Sequence, residues 1–391
     1  MIRILFLWFL FVSSAIYAQD SIEENGKVNQ KNYLETIDFE VINNKIIVPT
    51  SINGKTYHFM LDTGAPNLIS EQLQKELNIN VIQEIPVSDA NNIKQTMKLV
   101  ELPEISLGNL TIENTLSLSY DFHKNPFFQC LNIDGIIGSN LFKDKAVKIS
   151  LKEKKLYVTD KVKKLNPKTK RVKLQLIGWQ LSPYIKIELE GNKTRGIEPI
   201  LIDTGMDGFY DISNRNFSQL KDYDTYSQQI SSIGIGGFSL FEHTEKQEQH
   251  LVTIPKLTVG KAAFLNVSAE TMNDNNSRIG LDLLKYGDII IDFKKKKFYF
   301  ENTSEIALKN APKFGLNLKD NTWIIDFVWD EELQKQIQHG DELVRIDDIL
   351  VKDMDLCEIL TVKQYIKNNS SYEIEVINSE NKSVTIQIQQ D

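Results

Sequence analysis

The chain has 391 residues, with 45 Lys and Arg against 53 Asp and Glu, a formal net charge of −8 at pH 7. Hydrophobic residues at 41% and charged residues at 25% match soluble globular usage, which disfavours a disordered chain, a collagen-like repeat and a multi-span membrane protein. The acidic balance argues against general nucleic-acid binding, which needs a basic face to displace phosphate counterions. Cys130 and Cys357 are the only cysteines, so the sequence offers no disulfide framework, no Cys-rich zinc site and no CxxC redox pair.

In chain order, Arg3 precedes an unbroken apolar run over residues 4–12, and small, neutral residues lead on to Ala18. A charged start, a short apolar stretch and a small-residue exit are the features of a secretory signal peptide, assigned here to residues 1–18. The run is too short to cross a bilayer as a helix, which takes about 20 residues. The mature chain is therefore expected to begin at Gln19, with residues 19–37 as a polar tail, and to be exported to a periplasm or secreted, with no membrane span.

The body that follows repeats itself. Asn53-Gly54-Lys55-Thr56 leads to Leu61-Asp62-Thr63-Gly64, and Asn192-Lys193-Thr194 leads to Ile202-Asp203-Thr204-Gly205. Ile137-Gly138 is answered by Ile279-Gly280, and Leu156-Tyr157-Val158 by Phe298-Tyr299-Phe300. The step from 62 to 203 is 141, and the steps from 137 to 279 and from 156 to 298 are each 142, as one duplicated unit would give. Tyr57, Phe59 and Leu61 alternate as in a half-buried strand, while 200–202 and 289–291 are continuously apolar and suit strands buried on both faces. Asn53-Gly54 and the charged runs 152–155 and 294–297 mark hairpin turns. Ser70 followed by 71–77 predicts a short capped helix. The fold class is all-β, with a first lobe over 38–160 and a second over 161–300.

One Asp-Thr-Gly is an ordinary turn, since Asp accepts backbone N–H bonds and Gly tolerates positive φ. Two in register point to chemistry, because two carboxylates about 3 Å apart cannot both ionise. One anion and one neutral acid then activate a water and polarise a carbonyl, with no metal or covalent intermediate.

These residues resemble the pepsin-like and retropepsin-like aspartic proteases over about residues 39–300. Residues 47–54 and 59–65 look like the approach to the retropepsin-like catalytic loop, and Asp134-Gly135-Ile136-Ile137-Gly138 is similar to the apolar-apolar-Gly segment behind it. The resemblance implies a bilobal pepsin-like body with Asp62 and Asp203 as the catalytic dyad. It also implies that Thr63, Gly64, Thr204 and Gly205 support the loops, the threonines by reciprocal bonds across the lobes, and that a hairpin flap covers the cleft. Ala65 and Met206 stand where many secreted members carry Ser or Thr, and Arg278 opens the second apolar-apolar-Gly. Residues 87–96 and 231–240 are the flap candidates, the glycines of the latter suiting either a mobile lid or a plain hairpin loop. His243 and His250, seven apart in a polar segment with no HExxH, do not suggest zinc, and Cys130 beside Phe127 and Phe128 suggests a core residue. No cofactor and no metal are expected.

After a polar joint at 301–312, residues 313–391 form a unit outside the repeat. Gly340-Asp341-Glu342-Leu343-Val344-Arg345-Ile346-Asp347-Asp348 resembles a PDZ signature, and Gly315-Leu316-Asn317-Leu318 looks like the PDZ carboxylate-binding loop. That likeness implies a small PDZ-like β-barrel, with one or two short helices, that takes a peptide C-terminus as an added strand or packs on the body. Together these readings describe an exported aspartic endopeptidase acting on peptides or proteins, with a module that binds or presents them. The alternative is an inactive peptide-binding or scaffold protein of the same shape.

Overall fold

The computed structural model describes residues 26–237, 239–241, 244–309, 313–319 and 322–389; the leader assigned to 1–18 lies outside them. The two copies meet in a six-stranded sheet ordered Leu34–Asp38, Lys155–Thr159, Ala146–Ser150, Ile289–Asp292, Lys297–Phe300, Val172–Lys173. Its centre is the antiparallel pairing of Val147 with Ile291 between the two repeated hairpins. Val147, Ile149, Leu156, Ile289, Ile291 and Phe298 are all buried there, and Ile290 is buried as well, as the continuous apolar run 289–291 requires.

Above this base each lobe carries its own sheet, of ten strands in the first and nine in the second. Corresponding strands occupy corresponding places. Gly135–Gly138 runs parallel to Lys55–Asp62 in one lobe, and Arg278–Ile279 runs parallel to Arg195–Ile202 in the other. Ser70 caps the helix Glu71–Glu76 by accepting from the Leu73 N–H, and Ser213 caps Asn214–Leu220 by accepting from Asn216. Asn53 and Gly54 both take positive φ, 51° and 78°, as the tight turn between Lys45–Ile52 and Lys55–Asp62 demands.

Two boundaries differ from expectation. The tail expected over 19–37 is in part structure, because Lys27 bridges to Glu113 and Leu34–Asp38 forms the outer strand of the base sheet. The joint at 301–312 contributes the strand Glu305–Ala307, which adds to Ala262–Met272 of the second lobe. A polar composition hid both, since edge strands need only one apolar face.

Residues 313–319 and 322–389 form a separate six-stranded sheet, ordered Phe314–Lys319, Thr322–Val328, Glu342–Ile346, Ser371–Ile377, Ser383–Gln389, with Ile349–Leu350 on Glu342–Ile346. The helix Leu356–Asn368 starts at a capping box formed by Asp355 and Glu358. Trp323, Ile325, Leu343, Tyr372 and Ile374 give this unit its own core.

The cysteine reading is corrected here. Cys130, in the helix Pro126–Leu131, and Cys357, in Leu356–Asn368, form a disulfide with Cα atoms 5.1 Å apart across 227 residues of sequence. Cys130 is thus neither a lone core residue nor a nucleophile, but one end of a staple from lobe 1 to the C-terminal unit. By chain-entropy reasoning Cys357→Ser should lower unfolding stability by roughly 2–4 kcal/mol, seen as a lower denaturant midpoint. Protein purified without reductant should show no free thiol; two free thiols would remove the bond.

Candidate active site

Each Asp-Thr-Gly leaves the end of a buried strand. Asp62 closes Lys55–Asp62, and Asp203 follows Arg195–Ile202. Asp62 Oδ1 accepts from the Gly64 and Ala65 N–H groups at 2.8 and 3.1 Å, and Asp203 Oδ1 accepts from Gly205 and Met206 at 3.0 and 3.2 Å. Thr63 Oγ1 donates to the Ile202 carbonyl at 2.6 Å and accepts from the Thr204 N–H at 3.1 Å. Thr204 Oγ1 donates to the Leu61 carbonyl at 3.0 Å and accepts from the Thr63 N–H at 3.0 Å. Both threonines are buried, so each hydroxyl satisfies two backbone groups of the opposite lobe that water does not reach.

The glycines permit the approach. A Cβ on Gly64 would lie 2.6 Å from the Asp203 carboxyl carbon, and one on Gly205 would lie 2.3 Å from that of Asp62. Behind the loops a Cβ on Gly138 would strike the Pro66 backbone at 2.2 Å, and one on Gly280 would strike the Gly208 and Met206 carbonyls at 2.7 and 2.8 Å. Thus Asp62, Thr63 and Gly64 are brought against Asp203, Thr204 and Gly205.

Asp203 is buried, whereas Asp62 keeps a partial opening and is otherwise enclosed by protein. Burial first, then the Asp203 charge, pushes Asp62 up from an ordinary 3.8 to about 7; the Gly64 N–H and Lys45 pull the other way. Between those values the folded chain keeps a proton that the unfolded chain releases, so this contribution to stability falls as pH rises and is gone above about 7. Two cations brace the pair. Arg278 Nη1 bonds Asp203 Oδ2 at 2.8 Å, and Lys45 Nζ bonds the Gly205 carbonyl at 2.6 Å and Asp207 at 2.8 Å.

Both flap candidates are hairpins. Val81–Ser88 pairs with Lys94–Leu102 in lobe 1, and Gln228–Gly234 with Gln247–Val259 in lobe 2. Their tips meet. Asp89 accepts from the Ser239 hydroxyl and the Phe241 N–H, Asn91 donates to the Gly237 carbonyl at 3.1 Å, and Tyr120 donates to the Leu240 carbonyl at 3.0 Å. Phe241 is buried in the apolar cluster of lobe 1, its ring 5.8 Å from Tyr120. The C-terminal unit holds the same hairpin from the other side. Asp326 accepts from the Ile235 and Gly236 N–H groups at 2.8 and 3.1 Å, and Asn317 donates to the Gly236 carbonyl.

Gly315, Leu316, Asn317 and Leu318 lie within the strand Phe314–Lys319, paired with Thr322–Val328, rather than in a loop. Phe314, Leu316 and Leu318 fill the core of the unit from alternate positions of the strand, and Asn317 between them is also buried, spent on lobe 2. Nothing in these four residues foretells the bond from Asn317 to the Gly236 carbonyl of lobe 2. Asp326 is more legible, since a lone carboxylate in Trp323-Ile324-Ile325-Asp326-Phe327-Val328 must find donors if buried. His243 falls outside the described residues, and the His250 ring stacks on Phe217 at 4.5 Å. Among the described residues no group of three His, Cys, Asp or Glu converges to hold a metal, and no helix is long and apolar enough to cross a membrane.

This two-lobed all-β body with paired Asp-Thr-Gly turns has a counterpart in sequence. Residues 48–141, which include Asp62, Thr63 and Gly64, match the family described as Aspartyl protease. Among solved structures the chain is similar to an aspartic proteinase from Irpex lacteus, at 11% identity and a TM-score of 0.43, over 69% of this chain and 98% of that one. No curated protein matches it.

Because Thr63 satisfies two buried backbone groups across the lobes, Thr63→Val should destabilise the body by roughly 2–4 kcal/mol, while Thr63→Ser should recover most of that loss. Equal midpoints for Val and wild type in chemical unfolding would show the bonds to be idle.

Proposed function

We propose that the chain is an exported aspartic endopeptidase that hydrolyses peptide bonds with a water activated by Asp62 and Asp203. The observation that carries this reading is the pair of facing Asp-Thr-Gly turns, in which each glycine lies against the opposite carboxylate. In the singly protonated pair, the anion takes a proton from water as the water oxygen bonds to the peptide carbonyl carbon. The neutral acid gives its proton to the carbonyl oxygen. The diol then breaks its C–N bond as the newly protonated carboxyl passes its proton to the leaving nitrogen, and the other carboxylate recovers one from the diol. The aspartyl protease match over residues 48–141 supports the reading. The leader and the Cys130–Cys357 bond support export, since disulfides persist in oxidising compartments.

A second reading, a peptide-binding protein without turnover, is favoured by one observation, the Arg278 guanidinium occupying Asp203 Oδ2. Cleavage of a diverse peptide mixture across a pH series separates the two. Under the first reading, wild type cleaves and loses activity as pH rises past about 7, where Asp62 ionises. Asp62→Asn and Asp203→Asn then fall at least 10³-fold (about 4 kcal/mol of barrier) while staying folded, and a statine-type inhibitor blocks cleavage. Binding of extended peptides by a folded wild type that cleaves none at any pH would establish the second.

For the C-terminal unit, Phe314–Lys319 pairs within its sheet, among the described residues, with Thr322–Val328 alone, the position from which a peptide could be added as a further strand. We assign it to substrate presentation through peptide C-termini. Anisotropy with labelled peptides on Asp62→Asn protein should show binding of free-carboxylate peptides and loss on amidation; no difference between the two would exclude this role.

A further inference from the structure

The two lobes differ most in chemistry at one matched place. In lobe 1 Leu68 pairs with Leu118 on one side and Ile136 on the other, and all three are buried. In lobe 2 the same positions hold Asp211, paired with Glu270 and Arg278. Ile136 lies opposite Met60 and Arg278 opposite Leu201, each two residues before the catalytic aspartate of its lobe. After duplication, an apolar patch on one side of the pair has a charged counterpart on the other.

Arg278 is 13% exposed at its side chain, with Nη1 on Asp203 Oδ2 at 2.8 Å and Nη2 on Asp274. Met206 supplies no hydroxyl to Asp203, and Arg278 makes the bond instead. The Gly205 and Met206 N–H groups and the guanidinium all donate to Asp203, and its remaining side-chain hydrogen bond is the one it shares with Asp62. A proton placed on Asp203 would face those donors. The Asp62 carboxyl has its backbone donors on Oδ1 alone, and Lys45, the cation acting on it, is bonded to Gly205 and Asp207.

We propose, on the reading that the pair is hydrolytic, that Arg278 is a positioning residue that pins the negative charge on Asp203 and leaves the shared proton on Asp62. Asp203 is then the base toward water, and Asp62 the acid toward the substrate carbonyl. A charge-assisted bond to one member breaks the near-degeneracy of two like carboxylates. The upward displacement of Asp62 agrees with this order. The other charged or titratable groups around the pair are Lys45 and Asp207 beside the second catalytic loop, Asp211, Glu270 and Asp274 around Arg278, and Tyr184 and Arg215.

The test removes the cation without stranding its second partner. An opposite charge in contact lowers a carboxyl by about 1–3 pH units, so in Arg278→Gln/Asp274→Asn the lower limb of the kcat/KM profile should move up by that amount, while the upper limb, at which Asp62 loses its proton, stays nearly in place. KM should stay within about twofold while kcat falls, and Arg278→Lys, alone, should restore most of the wild-type profile. An unmoved lower limb in the double variant, or no rescue by Lys, would overturn the proposal. Carboxyl-carbon NMR of Asp-labelled protein, assigned with Asp62→Asn and Asp203→Asn, reads the proton without turnover. It should place the proton on Asp62 in wild type and lose that preference in the double variant. A wild-type proton on Asp203 would overturn the assignment even if the chain cleaves nothing, an outcome that would sink the protease reading on separate grounds.

Discussion

The arrangement depends on the crossed threonine bonds between the lobes. Thr63 and Thr204 each hold the other lobe's strand end through a buried hydroxyl that donates once and accepts once. Together with the Lys45 bond to the Gly205 carbonyl, they hold the two turns together against the mutual repulsion of the carboxylates. The glycines set how close those turns come, and the threonines keep them there. This is a polar network with its internal valences met, the condition under which burial of such groups is tolerated.

A duplicated fold inherits symmetry, and symmetry is a poor starting point for acid–base work, which needs one acid and one base. The body keeps its two-fold likeness where geometry demands it: the Asp-Thr-Gly turns, the glycines behind them, the Ser70 and Ser213 caps and the paired hairpins of the base sheet. It abandons likeness beside the pair, where Leu68, Leu118 and Ile136 of lobe 1 correspond to Asp211, Glu270 and Arg278 of lobe 2. Backbone constraints are shared by both lobes; the electrostatic surroundings are not.

What the sequence disclosed follows the same division. The Asp-Thr-Gly turns, the Asn53-Gly54 hairpin and the Ser70 cap depend on residues a few positions apart, and their repetition after 141 or 142 residues exposed the two lobes. Arg278 stood out as a charge in an apolar motif, but its bond to Asp203, 75 residues away, needed the strand register. The Cys130–Cys357 bond was hidden more deeply. Two cysteines 227 residues apart, one in an apolar stretch, carry no local signal of pairing, and only the docking of the C-terminal unit brings their helices together. Likewise Gly315–Leu318 had the composition of a binding loop, but strand pairing with Thr322–Val328 decided its form.

That docking ties the outer parts into a closed circuit. From lobe 1 it runs through the disulfide to the C-terminal unit, through Asp326 to the lobe 2 hairpin at Ile235 and Gly236, and through Ser239 and Phe241 back to Asp89 on the lobe 1 hairpin. Each link joins parts that share no secondary structure, so none is stabilised by the cooperativity of a single sheet. The circuit is closed at one point by a covalent bond and elsewhere by hydrogen bonds to two buried or half-buried carboxylates, Asp326 and Asp89. A displacement of either hairpin must therefore break bonds at one of those carboxylates or carry the C-terminal unit with it. The two hairpin tips are in this way mechanically joined to a unit that contributes no residue to the Asp62–Asp203 pair.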